Sequence, residues 1–176
     1  PALCRDGLVL VISPLIALMV DQVEGLRQKG IEAAALNSHV SAADKKRTHE
    51  AIAAGTLRLL YVSPERLIGL DPVFFAGSTL SMVAVDEAHC ISEWGHDFRP
   101  AYLRVGRAIR RLVKSDAPTP QILALTATAT PEVIDEIVRI LQPPGRPPMT
   151  RIVHSPERAN LFYGVAGHEV SLLRLV

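Results

Sequence analysis

Two carboxylates stand side by side at Asp86 and Glu87, directly after the apolar run Leu80 to Val85. Adjacent acids at a strand tip can divide labour. Asp86 can hold a hard cation, directly or through water. Glu87 can accept a proton from an attacking water. Hydrolysis of a nucleotide needs both, because a divalent cation neutralises phosphate charge and a base or orienting group positions the nucleophile. A bare Asp-Glu pair is more often a solvated acidic turn. The apolar strand before it and Ala88-His89 after it favour the chemical reading. A loop follows at once and carries Trp94, His96, Asp97, Phe98 and Arg99, with the chain's single tryptophan among them. Trp94 and Phe98 can stack on bases without regard to sequence, and Arg99 can pair with a phosphate or lie over a ring. Gly95, His96 and Asp97 between the two rings are poor core material. Only Ala88 to Cys90 separate the acids from this loop, so moving the loop can move Glu87 or His89.

The elements that must position these groups alternate along the chain. Leu8 to Ile12 reads as a buried strand, Ile31 to Leu36 as a short apolar piece, and Leu57 to Val62, Leu80 to Val85 and Gln121 to Leu125 as further strands. The spacing predicts a helix from Pro14 to about Lys29, with Leu15, Met19, Val23 and Leu26 on one face and Gly30 as its stop. Ser41 to Ala54 reads as a helix with Ser41 as its N-cap and Gly55 as its stop. Tyr102 to Lys114 and Pro131 to Leu141 complete the helices, and Thr150 to Val153 reads as a last strand. Alternation of this kind means βαβ units, hence an α/β domain with a mainly parallel sheet and helices on both faces. Ligands in such sheets bind beyond the C-terminal ends of the strands. The polar segments Ser13-Pro14, Ser63-Pro64-Glu65-Arg66, Asp86-Glu87-Ala88-His89 and Thr126-Ala127-Thr128 all fall there. Serine hydroxyls and helix-start N–H groups bind phosphates, and the same groups cap helices, so both readings of the Ser-Pro pairs can hold.

With 176 residues the chain is long enough for one domain with a sizeable core, and 48 % apolar residues argue against disorder. A net charge of +1 gives no global basic signal, so a nucleic-acid site has to come from local clustering. The two cysteines, Cys4 and Cys90, form no C-x-x-C pair, which fits a reducing interior and offers no zinc framework. The longest apolar run, Leu8 to Val20, contains Ser13 and Pro14 and is too short to cross a bilayer, so no membrane is expected. Arg104, Arg107, Arg110, Arg111 and Lys114 make a basic helix that reads as a solvated surface. Gln142 to Pro148, with four prolines in seven residues, reads as a rigid surface loop.

V-D-E-A-H resembles the DEAH-type Walker B motif of superfamily 2 helicases, and D-E-A-H-C-I-S-E-W-G-H-D-F-R-P closely resembles the RecQ family of DNA helicases. Other segments are similar to the family's motifs in the same order: Val11 to Val23 to motif Ia, Tyr61 to Leu67 to motif Ib, and Leu123 to Thr130 to motif III. The resemblance implies a RecA-like P-loop NTPase domain that uses ATP and Mg2+ and translocates 3′ to 5′ on single-stranded DNA, separating duplex DNA. It implies that Asp86 binds Mg2+, Glu87 activates water, and His89, Thr126 and Thr128 couple hydrolysis to DNA movement. It assigns DNA contacts to Ser13, Pro14, Ser63, Pro64, Glu65, Arg66, Trp94, His96, Phe98 and Arg99. It also implies an intracellular protein, in the cytoplasm or nucleoid, or in a nucleus if eukaryotic.

The phosphate-cradling G-x-x-x-x-G-K-[ST] does not occur in the sequence. In the family it lies just upstream of P-A-L, so Pro1-Ala2-Leu3 resembles the end of the helix that follows it. Arg158 to Tyr163 resembles the lead into a second RecA-like domain. On this reading residues 1–154 are a partial first helicase domain and 155–176 a linker. The missing phosphate-loop strand should leave a gap in the sheet, a marginally stable chain and negligible ATP turnover. The rival reading is a non-catalytic single-stranded DNA-binding module that kept the groove and lost the nucleotide chemistry. Another is an RNA-directed ATPase of the same superfamily, against which the W-G-H-D-F loop discriminates.

Overall fold

The computed structural model describes residues 2–94, 97–113, 118–154 and 160–161. Its centre is β1 (Leu8–Ile12), an unbroken apolar run that is buried almost throughout and has a strand on each side. Runs of this kind belong in the middle of a parallel sheet covered on both faces. β2 (Ala33–Leu36), β3 (Leu59–Val62), β4 (Leu80–Val85) and β5 (Gln121–Ala124) complete a five-stranded sheet in the order β2-β3-β1-β4-β5, with every pairing parallel.

Alternation along the strands divides the core. Leu8, Leu10, Ile12, Leu60, Val62, Val83 and Val85 face one layer, which is covered by α2 (Ala42–Ala53), α3 (Pro64–Ile68), α4 (Val105–Leu112) and α5 (Pro131–Leu141). Val9, Leu59, Tyr61 and Met82 face the other, where α1 (Ile16–Gln28) contributes Met19 and Val23. α4 and α5 approach so closely that a Cβ on Gly106 would overlap the carbonyl oxygen of Ile140. Helix starts follow local chemistry. Ser41, Ser63 and Thr130 each accept a backbone N–H inside the first turn, and Pro64 and Pro131 occupy the first helical position, where no N–H is needed.

Several expectations change. α1 starts at Ile16 with Leu15 as its N-cap and no side-chain cap, so Ser13-Pro14 precedes the helix instead of opening it. The segment from Tyr102 is a 3-10 turn over Tyr102–Arg104 and only then α4, and Lys114 lies outside the described residues. Thr150 to Val153 is not a strand. It leaves the proline-rich loop across α5, where Arg151 pairs with Asp135 at 2.7 Å, and its apolar side chains Ile152 and Val153 are exposed. Among the described residues the sheet has no interior gap: the strands are hydrogen-bonded neighbour to neighbour, and β5 is an edge. Nearly all of residues 155–176 lie outside the described residues. Among the described residues no helix is long and apolar enough to cross a membrane.

Candidate functional site

The register brings the strand ends level. Ile12 lies beside both Val62 and Val85, Leu36 beside Val62, and Ala124 beside Val85. All strands are parallel, so the residues that follow them emerge along one rim. Ser13, Asn37, Ser63, Asp86 and Leu125 are therefore brought together by the sheet alone. Backbone bonds continue past the strands: Ser13 N–H donates to Val62 O (3.2 Å), Ser63 N–H to Leu36 O (3.2 Å), Asp86 N–H to Ile12 O (2.8 Å) and Ala88 N–H to Leu125 O (2.9 Å).

The acid pair sits on this frame. Asp86 Oδ1 accepts from the Glu87 N–H at 3.0 Å, and Asp86 Oδ2 accepts from Ser13 Oγ at 3.2 Å. Glu87 has φ 45° and ψ 46°, the only non-glycine residue with positive φ among the described residues. Left-handed backbone at a glutamate is uncommon, and sustained local strain of this type clusters at functional sites. The turn throws the two side chains apart, Asp86 towards β1 and Glu87 towards His89. Beneath them the fully buried Tyr102 donates its hydroxyl to the Asp86 carbonyl at 2.9 Å. Burial, and then the charges of Cys90 and Asp86, push that phenol far above its ordinary range, so it remains a donor. The oxygen-only donors of Asp86, held by two hydrogen bonds, suit a hard cation such as Mg2+.

His89 is the buried link to the next strand. Its Nδ1 lies 2.9 Å from Thr126 Oγ1 and 3.3 Å from Glu87 Oε2. Thr126 Oγ1 in turn accepts from Thr128 N–H at 3.3 Å. Glu87, His89, Thr126 and Thr128 thus form one continuous polar chain from β4 to the loop after β5. Both threonines are exposed, so a group bound over the rim can touch this chain directly.

The aromatic loop is anchored at its base and open at its tip. Arg99 N–H donates to Cys90 O at 3.0 Å, which closes the loop beside the 3-10 turn Ala88–Ile91. Arg99 Nη1 donates to Pro14 O at 3.3 Å, and its Nη2 lies 3.9 Å from Asp97 Oδ2. Trp94 is 89 % exposed, with only its N–H tied back to Ser92 Oγ at 3.2 Å. A large aromatic ring held in water is available for stacking in a way a core ring is not. Phe98 is half-buried, and His96 lies outside the described residues.

The two Ser-Pro segments differ. Ser63 caps α3, accepting from Arg66 N–H at 3.3 Å. Glu65 is exposed and Arg66 half-buried, so both reach the rim. Ser13 is 2 % exposed and its hydroxyl is turned to Asp86. Pro14 is buried, and its carbonyl receives Arg99. The loop, the β1 tip and the acid pair are thus joined through Arg99, Pro14 and Ser13. In the basic helix, Arg111 is a structural cation whose Nη2 donates to the Ile68 and Leu70 carbonyls at 2.8 Å each. Sequence reasoning missed Tyr102 and the contact of Ser13 with Asp86. Tyr102 carried a weak signal, a lone tyrosine at the start of an amphipathic helix, but nothing in the sequence shows where its hydroxyl points.

The DEAD/DEAH box helicase family model matches residues 2–137 of the chain. The ATP-dependent DNA helicase RecQ of Pasteurella multocida is 49 % identical over 144 residues, covering 80 % of this chain and 22 % of that protein. The ATP-dependent DNA helicase RecQ of Haemophilus influenzae is 43 % identical over 166 residues, covering 93 % of this chain and 25 % of that protein. The chain therefore spans about a quarter of the length of these relatives. Among solved structures, the Hef helicase domain of Pyrococcus furiosus superposes with a TM-score of 0.52 at 22 % identity, over 78 % of this chain and 27 % of that one. That likeness concerns the fold alone, a parallel sheet covered by helices.

Proposed function

This chain belongs to the DEAD/DEAH box helicases, and from that premise we propose that it is the acid-bearing part of the first motor domain of a RecQ-like DNA helicase. The complete protein would hydrolyse ATP with Mg2+, move along single-stranded DNA and separate duplex DNA. Residues 1–154 would be the partial helicase domain, residues 155–176 would lead on to a second RecA-like domain, and the protein would work inside the cell. The observation that carries the reading is the unbroken polar chain Glu87–His89–Thr126–Thr128, which starts at the acid pair and ends on the exposed rim.

In this reading Asp86 would hold Mg2+, which would offset the phosphate charge of ATP. The chain's own residues do the rest. Ser13 and the Glu87 N–H hold the Asp86 carboxylate in one orientation. The left-handed turn aims Glu87 away from Asp86, so that it can accept a proton from water while Asp86 holds the cation. His89 keeps Glu87 in register with Thr126, so a shift of the loop after β5 changes where the base stands. Trp94 and Phe98 stack on bases, and Arg99 reads the backbone and reports to Pro14. Ser63, Pro64, Glu65 and Arg66 border the same strand path, and His96 completes the loop.

The acids suit the metal end of a nucleotide, but no G-x-x-x-x-G-K-[ST] occurs in these 176 residues to hold the phosphates. That supports a second reading for this chain taken alone, a single-stranded DNA-binding module without turnover. One experiment tests whether this chain carries turnover and which nucleic acid it prefers. Magnesium-dependent ATP hydrolysis is measured with and without single-stranded DNA, beside Glu87→Gln, and binding of a labelled DNA strand and an RNA strand of the same sequence is followed by anisotropy. DNA binding without turnover is the outcome of both readings for this chain taken alone, a motor part that needs the rest of its protein and a binding module. DNA-stimulated turnover lost in Glu87→Gln would place complete chemistry in this chain. Binding to RNA in preference to DNA would overturn the DNA assignment.

A further inference from the structure

Beside the acid pair, three different donor types converge. One ligand atom from each of His89, Cys90 and Asp97 lies within 4.8 Å of the other two. His89 and Cys90 are buried, while the Asp97 side chain is 55 % exposed. Cys90 has no part in the hydrolysis proposed above, and Asp97 belongs to the aromatic loop. Cys90 Sγ faces Asp97 Oδ2 at 4.0 Å, a long thiol hydrogen bond that brings the sulfur and the carboxylate together.

Sulfur, imidazole nitrogen and one carboxylate oxygen form the ligand set of a borderline-soft cation, whereas Mg2+ and Ca2+ take oxygen. Metal–ligand bonds of about 2.0–2.3 Å put tetrahedral ligands roughly 3.3–3.8 Å apart. The cluster is therefore wider than a filled site by less than about 1.5 Å, and its most exposed member is the one that can close the difference. The imidazole is already oriented, because its Nδ1 sits against Thr126 and Glu87. Outer partners of this kind fix the rings of metal-bound histidines. The exposed side of Asp97 leaves room for a water as fourth ligand.

We propose that His89, Cys90 and Asp97 bind Zn2+ or a cation of its class, and that this cation fastens the aromatic loop to the segment that follows the acid pair. On binding, the Cys90 thiol releases its proton to solvent, a sulfur–metal bond forms, and metal-bound waters leave. The cation would hold Asp97 against Cys90 and so restrict the loop that presents Trp94. The inference is independent of the ATP reading, since its test contains neither nucleotide nor DNA.

The test is a titration of the metal-stripped chain with Co2+, which gives a near-ultraviolet thiolate-to-metal band only when a cysteine sulfur is bound. One equivalent of Co2+ should produce the band in the parent chain and in Cys4→Ser. Cys90→Ser should lose it. Asp97→Ala should weaken Co2+ binding about tenfold or more. Cys90 is buried and its replacement can disturb folding, so the exposed Asp97→Ala variant carries the decision. In parallel, stoichiometric Zn2+ should raise the melting temperature of the parent chain and leave that of Asp97→Ala unchanged. No band in the parent chain, a band lost in Cys4→Ser, or Asp97→Ala binding as tightly as the parent would each overturn the proposal.

Discussion

Tyr102→Phe removes one oxygen atom from beneath the acid pair and leaves the ring in place. The ring is fully buried within the larger core, and the hydroxyl donates to the Asp86 carbonyl at 2.9 Å. The swap conserves volume, so no cavity opens and the packing contribution is retained. What is lost is one hydrogen bond, with a net value of about 0.5–1.5 kcal/mol, and a carbonyl left without its donor in a part-buried place costs up to about 1–3 kcal/mol. The expected destabilisation is therefore about 1–2 kcal/mol. For a chain of this size that corresponds to a fall in melting temperature of roughly 2–8 °C. Urea titration checks it, with the effect appearing in the midpoint at constant slope. Tyr102→Ala, which also discards the ring, should lose about 3–5 kcal/mol. A Tyr102→Phe value within about 0.3 kcal/mol of the parent would refute the role given to the hydroxyl. A value as large as that of Tyr102→Ala would refute the separation of hydroxyl from ring.

Three further outcomes follow from particular contacts. Gly106→Ala puts a methyl group into the Ile140 carbonyl, so α4 and α5 must part; the loss should be about 1–3 kcal/mol by thermal or urea melting. Trp94→Ala should change stability by less than about 0.5 kcal/mol, because the side chain is 89 % exposed, yet weaken single-stranded DNA binding by about 1–3 kcal/mol in an anisotropy titration. Cys90 is buried, and burial first, then Asp97, pushes its thiol up to about 11, whereas Cys4 is exposed. An alkylating reagent at pH 8 should therefore modify Cys4 in the folded chain and reach Cys90 only on unfolding. The fold favours the neutral thiol, so this group's contribution to stability is intact below pH 9 and lost as pH rises from 9 towards 11. Urea midpoints across that range should fall less steeply in Cys90→Ala.

The parallel sheet and the rim were legible because both rest on local pattern. Leu8 to Ile12 reads as a buried strand and is one, and Ser41 caps the helix it precedes. The acid pair was legible for the same reason, since an apolar run that ends in Asp-Glu fixes where the carboxylates emerge. What was not legible depends on side chains meeting across large sequence separations. Ser13 meets Asp86 across 73 positions, and Arg99 meets Pro14 across 85. Periodicity could not distinguish a serine that caps its own helix from one that turns back to another strand, and the two Ser-Pro pairs divide on that point. Thr150 to Val153 failed for the complementary reason. Its β-branched residues suit a strand, but strand propensity has effect only beside a partner, and the ion pair of Arg151 with Asp135 draws the segment over α5.

The geometry of the loop decides how a bound strand could influence the acids. Trp94 touches little, so force applied at the tip cannot travel through its ring into the core. It must travel through the base, where the backbone is pinned by Cys90 O to Arg99 N–H and where Tyr102 holds the Asp86 carbonyl. Both pins act on backbone atoms next to the left-handed turn at Glu87, a conformation that has one narrow well for a residue with a Cβ. A small displacement of the base therefore tends to move Glu87 between discrete positions instead of bending it smoothly. The second route, through His89 to Thr126, runs between side chains and reaches the same glutamate from the opposite side. Glu87 is where the two routes meet, whereas Asp86 is steadied by Ser13, Tyr102 and the sheet. On this arrangement Asp86 stays fixed, and Glu87 is the carboxylate that responds to the loop.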